Sequence, residues 1–330
     1  MKKRALFAVP PEVYQTVYAG YPRRRIDDLV EVIGGPLATA DVKGFARLHE
    51  VEILLTSWCS PTLDQELLAA MPHLRAVFYG AGSIRYLVSE AFWASNIPIT
   101  SAYAANAIPV AEFAFAAILL SLKRVWHYER ATRRERAWPA FVPMPGAFRS
   151  TVGLVSLGAI GRLVAGHLKS TEAQVIAYDP FAKAEDAQAL GVRLVTLEEV
   201  FKTADVVSLH TPHLKETEGL ISASLLRSMK PGATLVNTAR GALIREDELI
   251  TTLQERPDLT AMLDVTWPVT PAPESPLFDL PNVVLTPHIA GSTGEECKRM
   301  GSYMADELER FLRAEPLRWR ITRQQMERMA

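Results

Sequence analysis

A predicted strand that runs into a glycine turn and then a helix constrains this chain more than any other feature. The segment reads Val152-Gly153-Leu154-Val155-Ser156-Leu157-Gly158-Ala159-Ile160-Gly161. Such a turn points backbone N–H groups and the positive end of a helix at a phosphate, with no Cβ in the way. In the dinucleotide fingerprint G-x-G-x-x-G, the last two glycines correspond to Gly158 and Gly161. The first is replaced by Ser156, so a serine must adopt the conformation of the tight turn.

An acidic residue follows at the spacing expected of a ribose-binding carboxylate. Residues 174–178 are typical of a second strand, which ends in Asp179, 18 residues beyond Gly161; the fingerprint expects about 20. An aspartate there accepts hydrogen bonds from the ribose hydroxyls and repels a 2′-phosphate, and positions 180–182 hold no Arg or Lys. The pattern predicts NAD rather than NADP; the alternative is that Asp179 is a turn residue before Pro180.

Short β-rich runs alternate with helical runs, which predicts parallel α/β sheets. At about 150 residues per domain, 330 residues predict two domains. In the first third we predict strands at 5–9, 51–57, 76–79 and 97–101 and a helix at 64–71. In the second region we predict strands at 152–155, 174–178, 205–209, 233–237, 260–263 and 283–285, and helices near 160–169, 197–202, 223–228 and 246–254.

A long helical segment is predicted to begin near Pro109, since proline suits the first turn of a helix. Its first part is almost wholly apolar, and residues 130–136 are charged with mixed sign. A helix that is apolar on all sides must be covered on all sides, so we expect a subunit interface in addition to an interdomain core. The window 107–122 contains Glu112 and is shorter than the about 20 residues of a membrane span.

Composition excludes several classes of function without naming one. The formal net charge of −1 provides no basic field for nucleic acid or an anionic membrane. Two cysteines, Cys59 and Cys297, are too few for a disulfide framework or a cysteine-based zinc site. The first apolar run stops at Pro10-Pro11, which is too short for a signal peptide. We therefore expect a cytoplasmic protein without a metal site that binds neither nucleic acid nor a membrane.

Three further motifs follow predicted strands, where open α/β sheets bind their ligands. They are Val-Asn-Thr-Ala-Arg-Gly at 236–241, Leu-Asp-Val at 263–265 and Leu-Thr-Pro-His-Ile-Ala-Gly at 285–291. Together with the glycine turn and with the motifs at 79–82, 106–112 and 208–212, they resemble the D-2-hydroxyacid dehydrogenase family over nearly the whole chain. Several motifs in order are far more specific than a lone glycine turn.

The resemblance implies an oxidoreductase that transfers a hydride between NAD(H) and a small 2-oxo or 2-hydroxy acid. Arg240 would bind the substrate carboxylate and polarise the 2-oxo group, and His288 would give its proton to the carbonyl oxygen. Asp264 would face the nicotinamide carboxamide. The expected cofactor-binding residues are Ser156, Gly158, Ala159, Ile160, Gly161, Asp179, Pro180, His210, Thr211, Pro212, Thr217, Thr238, Ala239, Arg240, Asp264, His288 and Gly291. The expected substrate-binding residues are Trp58, Tyr79, Gly80, Ala81, Gly82, Asn106 and Arg240, with backbone N–H groups of 80–82 holding the other carboxylate oxygen.

The resemblance also implies a discontinuous architecture. A flavodoxin-like substrate-binding domain would comprise residues 1–104 and 295–330, and a Rossmann-type NAD-binding domain, 105–294, would be inserted in it. The active site would lie in the cleft, which is expected to close on binding. A homodimer through the helix at Pro109 and the adjoining segment is expected.

One position departs from the family's pattern. The family usually has a glutamate five residues after the Asp of its Asp-Val pair, hydrogen-bonded to the catalytic histidine; this chain has Val269 there. Valine neither accepts a hydrogen bond nor stabilises an imidazolium, so the hypothesis is an acid-shifted pH optimum for reduction. The alternative is that Glu274 or Asp279 folds back as a replacement. Formate dehydrogenases of the superfamily also pair their histidine with a residue other than glutamate.

Two other functions stay open on the sequence alone. One is an NAD(H)-sensing binding protein with weak or no catalysis, similar to the C-terminal binding protein corepressors of the superfamily; the departures at Ser156 and Val269 favour it, and the retention of Arg240 and His288 disfavours it. The other is a dehydrogenase of another small anion, such as formate or phosphite. The sequence does not identify the substrate, although the aromatics Trp58, Tyr79, Tyr103 and Trp267 hint at an apolar pocket.

Overall fold

The computed structural model describes residues 1–329, and the chain divides into two compact units. The first unit is Met1–Asn106 together with the chain from Ser292 onward, and the second unit is Ala107–Gly291. These boundaries lie within three residues of those predicted. Each unit contains one parallel sheet with a hydrophobic cluster on each face.

Twelve strands and fourteen α-helices lie within residues 1–329. The strands are β1 Arg4–Ala8, β2 Glu31–Gly34, β3 Ile53–Thr56, β4 Ala76–Tyr79, β5 Ile99–Ser101, β6 Thr151–Val155, β7 Gln174–Tyr178, β8 Val192–Leu194, β9 Val206–Leu209, β10 Thr234–Asn237, β11 Thr260–Leu263 and β12 Val283–Leu285. The helices are α1 Pro11–Val17, α2 Tyr21–Leu29, α3 Thr39–Val42, α4 Gln65–Ala70, α5 Glu90–Ala94, α6 Tyr103–Leu122, α7 Val125–Glu135, α8 Ala159–Leu168, α9 Ala184–Ala189, α10 Leu197–Thr203, α11 Ala223–Ser228, α12 Glu246–Glu255, α13 Glu296–Leu312 and α14 Arg323–Met326.

The sheet of the first unit has five parallel strands in the order β2-β1-β3-β4-β5, which is the flavodoxin-like order. Successive residues of β1 point to opposite faces, so Phe7 packs into one hydrophobic cluster and Leu6 into the other. Helix α13 contributes Met300 and Met304 to the cluster that contains Phe7. The predicted flavodoxin-like fold is confirmed.

The sheet of the second unit has seven parallel strands in the order β12-β11-β10-β9-β6-β7-β8. The six strands β8-β7-β6-β9-β10-β11 have the Rossmann order, and β12 extends the sheet beyond β11. The central strands β9 and β10 are buried along their whole length, as expected of a parallel sheet covered on both faces. The predicted Rossmann-type fold is confirmed.

The two strands that were not predicted lie at sheet edges. β2 has four residues that are mostly half-buried, and β8 has three, so neither produces an apolar run long enough to indicate a strand. The predicted start of the long helix was also wrong. Helix α6 begins at Tyr103, whose N–H donates to Ser101 Oγ, and Pro109 lies inside the helix.

Helix α6 is long and apolar enough to cross a membrane by length and composition, with a mean hydropathy of 1.8 in its most apolar 18-residue window. Of that window, 56% is buried inside the structure. Ala111, Ala114 and Ile118 pack in the same cluster as Val152 and Leu154 of β6. This burial is typical of a core helix. The chain leaves α6 at Arg124, whose left-handed φ of +49° separates α6 from α7.

Candidate active site

Six loops of the second unit follow parallel strands and therefore meet at one edge of its sheet. Nearly all the predicted cofactor and catalytic residues lie on them. The loops follow β6 (Ser156 to Gly158), β7 (Asp179 and Pro180), β9 (His210 to Thr217), β10 (Thr238 to Arg240), β11 (Asp264 to Val269) and β12 (Thr286 to Gly291). The strand order alone thus explains how motifs more than 100 residues apart reach one edge.

Ser156 adopts the backbone conformation that the first glycine of the G-x-G-x-x-G fingerprint normally adopts. Its φ is +84°, in the left-handed region that non-glycine residues rarely enter. Its Oγ donates to Asp179 Oδ2 at 3.3 Å, and the next N–H, of Leu157, donates to the same oxygen at 2.7 Å. The serine hydroxyl therefore ties the turn to the acidic residue. Gly161 is required here, because a Cβ on it would lie 2.1 Å from the Ser156 carbonyl oxygen.

The residues of this turn fit a dinucleotide. A Cβ on Gly158 would meet no atom closer than Ser156 Oγ at 3.8 Å, so the approach to the turn is open. Among the described residues no side chain caps the N terminus of α8, so its first N–H groups are available to an anion. Asp179 is held by two further donors, the N–H groups of Phe181 and Ala182, at 2.8 and 2.9 Å to Oδ1.

Two buried polar side chains lie side by side at this edge without hydrogen-bond partners in the described residues. They are His210, just past β9, and Thr238, just past β10, and the register of the two strands makes them neighbours. An unpartnered buried polar atom is costly unless a ligand or water completes it. Both residues were predicted to bind the cofactor, and their unsatisfied atoms fit that assignment. By contrast, the hydroxyls of Thr211 and Thr217 bond backbone carbonyls and hold their own loop.

Burial lowers the pKa of His210 to about 4. The folded protein therefore excludes a proton that the unfolded chain accepts once the pH falls below about 6.5. We expect the contribution of neutral His210 to the free energy of unfolding to be fully present above about pH 6.5. As the pH falls to about 4, protonation of this histidine in the unfolded chain should lower the free energy of unfolding by roughly 3 kcal/mol. In His210→Gln this part of the pH dependence should vanish in denaturant titrations at several pH values. His73→Gln, at an exposed histidine, should keep it; an unchanged slope in His210→Gln would contradict the assignment.

Arg240 is a half-buried cation without an anionic partner in residues 1–329. Its Nη1 donates to the Ala239 carbonyl at 2.6 Å, and burial lowers its pKa. Asn237 shapes this loop, since its side chain donates to the Arg240 carbonyl and accepts from the Ala239 N–H, each at 3.0 Å. Next to it, a Cβ on Gly241 would lie 2.0 Å from the Thr266 carbonyl carbon. The loops after β10 and β11 are therefore in direct contact.

Asp264 holds the loop that carries His288. Its buried carboxylate accepts from Thr286 Oγ1 at 2.6 Å and from the N–H groups of Ile289 and Ala290, each at 2.9 Å. Its carbonyl accepts the His288 N–H at 3.0 Å. These bonds surround His288, which is exposed and has a left-handed φ of +56°. Within the described residues the Asp264 side chain positions the histidine loop, and the predicted contact with the nicotinamide carboxamide stays a prediction.

Arg240, His288 and Val269 line one cavity of about 60 Å³, entirely within the second unit. The side chain of Val269 is 70% exposed there. No carboxylate of the described residues lines this cavity. The alternative that Glu274 or Asp279 replaces the missing glutamate is not supported, since both are exposed and lie outside the lining.

Among the basic side chains that line this cavity, the prediction missed His213. Its ring packs edge-on against Trp267, with centroids 5.6 Å apart, and its Nε2 lies 4.0 Å from a carboxylate oxygen of Glu218. A second histidine three residues after His210, in a loop already assigned to the site, was the available signal. A lone histidine on a loop has too many structural roles to be selected without its neighbours.

In the first unit, the structure corrects part of the predicted substrate loop. Tyr79 is fully buried and its hydroxyl meets that of Tyr86, so its ring belongs to the core rather than to a substrate pocket. The N–H of Gly80 donates to the Thr56 carbonyl at 2.7 Å. Among the described residues only the N–H groups of Ala81 and Gly82 stay free in this loop. Of the others, Trp58 packs half-buried between two clusters, and the Asn106 side chain accepts the Ser292 N–H at 2.9 Å.

Residues 115–290 match the family profile described as D-isomer specific 2-hydroxyacid dehydrogenase, NAD binding domain. The glyoxylate reductase of Korarchaeum cryptofilum is 34% identical over 274 residues, which cover 82% of each chain. The chain belongs to the D-isomer specific 2-hydroxyacid dehydrogenase family. As in the family, its Rossmann-type unit is an NAD-binding domain, which confirms the predicted cofactor.

Longer members of the family are similar too. D-3-phosphoglycerate dehydrogenase from Mycobacterium leprae is 34% identical over 293 residues, or 88% of this chain and 54% of that protein. The chain spans about half the length of the D-3-phosphoglycerate dehydrogenases it matches. The NAD-complexed D-isomer specific 2-hydroxyacid dehydrogenase of Lactobacillus delbrueckii ssp. bulgaricus has the same fold, with a TM-score of 0.80, 23% identity and coverage of 97% and 100% of the two chains.

Proposed function

We propose that this chain is an NAD-dependent D-2-hydroxyacid dehydrogenase that reversibly transfers a hydride between NAD(H) and a small 2-oxo or 2-hydroxy acid. The observation that carries the proposal is the half-buried guanidinium of Arg240, which has no anionic partner in residues 1–329 and shares a cavity with His288. A desolvated cation without a partner is stabilised by a bound anion. An imidazole in the same cavity supplies the proton that carbonyl reduction needs.

The mechanism follows from these two side chains. The Arg240 fork binds the substrate carboxylate and draws electron density from the neighbouring 2-oxo group. NADH, when bound, supplies the hydride. His288 donates its ring proton to the carbonyl oxygen as the carbon–oxygen double bond is reduced, which yields the 2-hydroxy acid and a neutral imidazole. In the oxidative direction His288 takes the proton back from the hydroxyl.

A screen of NADH oxidation with glyoxylate, pyruvate, hydroxypyruvate, phenylpyruvate and branched 2-oxo acids tests the proposal. We expect turnover of at least one substrate, preference for NADH over NADPH, and a large loss of kcat in His288→Ala. His73→Ala, at an exposed histidine of the first unit, is the matched control. NADH binding without turnover, unaffected by His288→Ala, would instead support the NAD(H)-sensing alternative. Oxidation of formate or phosphite alone would support the small-anion alternative.

Val269→Glu is expected to move the alkaline limb of the pH profile for reduction upward by about one pH unit or more. A carboxylate at this position faces the cavity that His288 lines, so it stabilises the protonated imidazole and keeps the proton donor charged at higher pH. The measurement is kcat/KM for reduction against pH in both proteins. Val269→Gln, which has similar size without charge, is the control. Superimposable profiles for wild type and Val269→Glu would remove the role we give to this position.

We also propose that the chain forms a homodimer through α6 and the segment that follows α7. The support is a run of exposed aromatic side chains in that segment: Trp138 at 91%, Phe141 at 87% and Phe148 at 61% exposure. Exposed apolar patches of this kind mark contact surfaces. Light scattering after gel filtration should report a dimer that Trp138→Ser combined with Phe141→Ser converts to monomer. Tyr21→Ser, at an exposed tyrosine of the first unit, should leave the mass unchanged.

A further inference from the structure

The loop that follows β4 lies between two buried serine side chains. In the sheet of the first unit β4 is flanked by β3 and β5, so the residues just past the end of β4 have a neighbouring strand on each side. Ser57 follows β3 directly, and Ser101 is the last residue of β5. Both serines are fully buried, and buried hydroxyls need hydrogen-bond partners. Both donate to the backbone of residues 80–82.

Each hydroxyl donates to the carbonyl of a different peptide unit. Ser57 Oγ donates to the Gly80 carbonyl oxygen at 2.9 Å. Ser101 Oγ donates to the Ala81 carbonyl oxygen at 2.9 Å and lies within hydrogen-bond distance of the Gly82 carbonyl oxygen. The Gly80 carbonyl shares its peptide unit with the Ala81 N–H, and the Ala81 carbonyl shares its unit with the Gly82 N–H. These are the two N–H groups of the loop that stay free among the described residues.

The serine bonds determine where these two N–H groups point. Both peptide bonds are trans, so the N–H of each planar unit points opposite to its carbonyl. Because the carbonyls point at hydroxyls in the interior of the first unit, the N–H groups point away from those hydroxyls. A hydrogen bond to the carbonyl also polarises the peptide unit and makes its N–H a stronger donor. The two serines therefore orient and strengthen one pair of donors.

Backbone hydrogen bonds hold both serines in place. The Ser57 N–H donates to Ser60 Oγ at 3.1 Å. Ser101 Oγ accepts the Tyr103 N–H at 3.2 Å, and the Ser101 N–H donates to the Trp319 carbonyl at 3.1 Å. The two free donors of the loop are therefore positioned before a ligand arrives, which reduces the entropy cost of binding.

We propose that Ser57 and Ser101 are positioning residues that hold the Ala81 and Gly82 N–H groups as a two-donor cradle for the substrate carboxylate. The proposal rests on the function proposed above. A carboxylate suits the cradle, because hydrogen bonds to a charged acceptor are stronger than those to a neutral one. It carries the same charge before and after hydride transfer, so the cradle binds substrate and transition state about equally. Loss of either hydroxyl should therefore raise KM and leave kcat nearly unchanged.

The test is steady-state reduction of the preferred 2-oxo acid by Ser57→Ala and by Ser101→Ala. We expect each substitution to raise KM about threefold to tenfold, because each weakens one hydrogen bond to a charged group. kcat should stay within about twofold of the wild type. NADH affinity should not change, since the glycine turn after β6 lies in the second unit. An unchanged KM in both variants, or a loss of kcat as large as the rise in KM, would overturn the proposal.

Ser89→Ala is the matched control. Like Ser101, Ser89 donates to a backbone carbonyl, that of Leu63 at 2.6 Å, and accepts a backbone N–H near the start of a helix, that of Phe92 at 3.2 Å. These bonds do not involve the loop 80–82. Ser89→Ala should lower stability by an amount similar to that of Ser101→Ala and leave KM unchanged. If KM rises in both variants alike, it follows stability rather than the loop, and the proposal is wrong.

A readout without turnover separates this proposal from the proposed function. In NMR spectra of the protein labelled with [15N]alanine and [15N]glycine and mixed with NADH, oxamate, an unreactive analogue of a 2-oxo acid, should shift the Ala81 and Gly82 amide signals. Its dissociation constant should rise about threefold to tenfold in Ser101→Ala. That result without turnover of any 2-oxo acid would sink the proposed function and leave the cradle. Turnover with equal oxamate affinity in Ser101→Ala and the wild type would sink the cradle and leave the proposed function.

Discussion

Replacing Arg240 with lysine is expected to lower kcat/KM for 2-oxo acid reduction by about 10²- to 10³-fold. Within residues 1–329 the half-buried guanidinium bonds only the Ala239 carbonyl, so most of its donors are available to an anion. Lysine keeps the charge but replaces a planar fork by one rotatable ammonium, which loses two-point binding of a carboxylate and the polarisation of the adjacent carbonyl. Steady-state kinetics on the preferred 2-oxo acid measure the effect.

The matched control is Arg245→Lys. Arg245 lies five residues further along the chain, is exposed, and pairs with Glu248 at 2.8 Å on the surface. This variant should retain kcat/KM within about twofold, since surface ion pairs contribute little. NADH affinity, measured by fluorescence, should change much less in Arg240→Lys than kcat/KM does. Equal kinetics of Arg240→Lys and the wild type would remove Arg240 from the substrate site.

Asp264→Asn is expected to lower kcat by about 10²-fold, because small displacements of a catalytic group have effects of that size. The carboxylate accepts from Thr286 Oγ1, Ile289 N–H and Ala290 N–H. An asparagine of the same size turns an NH₂ group towards one of these donors, so at least one hydrogen bond becomes a repulsive contact. The loop should then release His288 from its left-handed conformation.

The same substitution should lower the free energy of unfolding by about 1–3 kcal/mol, the penalty of an unsatisfied buried donor. Denaturant unfolding and kcat should therefore change together. Asp279→Asn, at an exposed aspartate on the segment before β12, should change neither. A variant Asp264→Asn with wild-type kcat and lower NADH affinity would instead indicate the nicotinamide contact that the family resemblance implies.

The parts of the fold predicted correctly are those that local sequence determines. Strands β4, β7, β11 and β12 have the predicted bounds, because each is a short apolar run between turn residues. The glycine turn was identified in the same way, since its function depends on residues that are adjacent in the chain. The edge strands β2 and β8 were not predicted. Their three or four half-exposed residues form a strand only when the adjacent strand of the sheet supplies their hydrogen bonds.

For the candidate site, too, local motifs identified the residues, whereas the contacts of those residues were not predictable. Arg240 and His288 were selected by the motifs around them, and the structure places both on one cavity. The hydrogen bonds and the burial of each side chain were not predictable from these motifs. The motif identified Asp264 but not that its oxygens hold the histidine loop, and it identified Tyr79 but not that its ring is fully buried.

The sequence by itself determined the two α/β folds, the phosphate-binding turn, the acidic residue Asp179 and the valine at position 269. Each of these depends on residue type and on spacing along the chain. Only the tertiary structure decided that Val269 lines the same cavity as His213, Arg240 and His288. These residues come from the loops after four different strands, and their contacts depend on sheet order, loop conformation and burial. Those properties arise from interactions between residues up to 75 positions apart, which spacing along the chain does not encode.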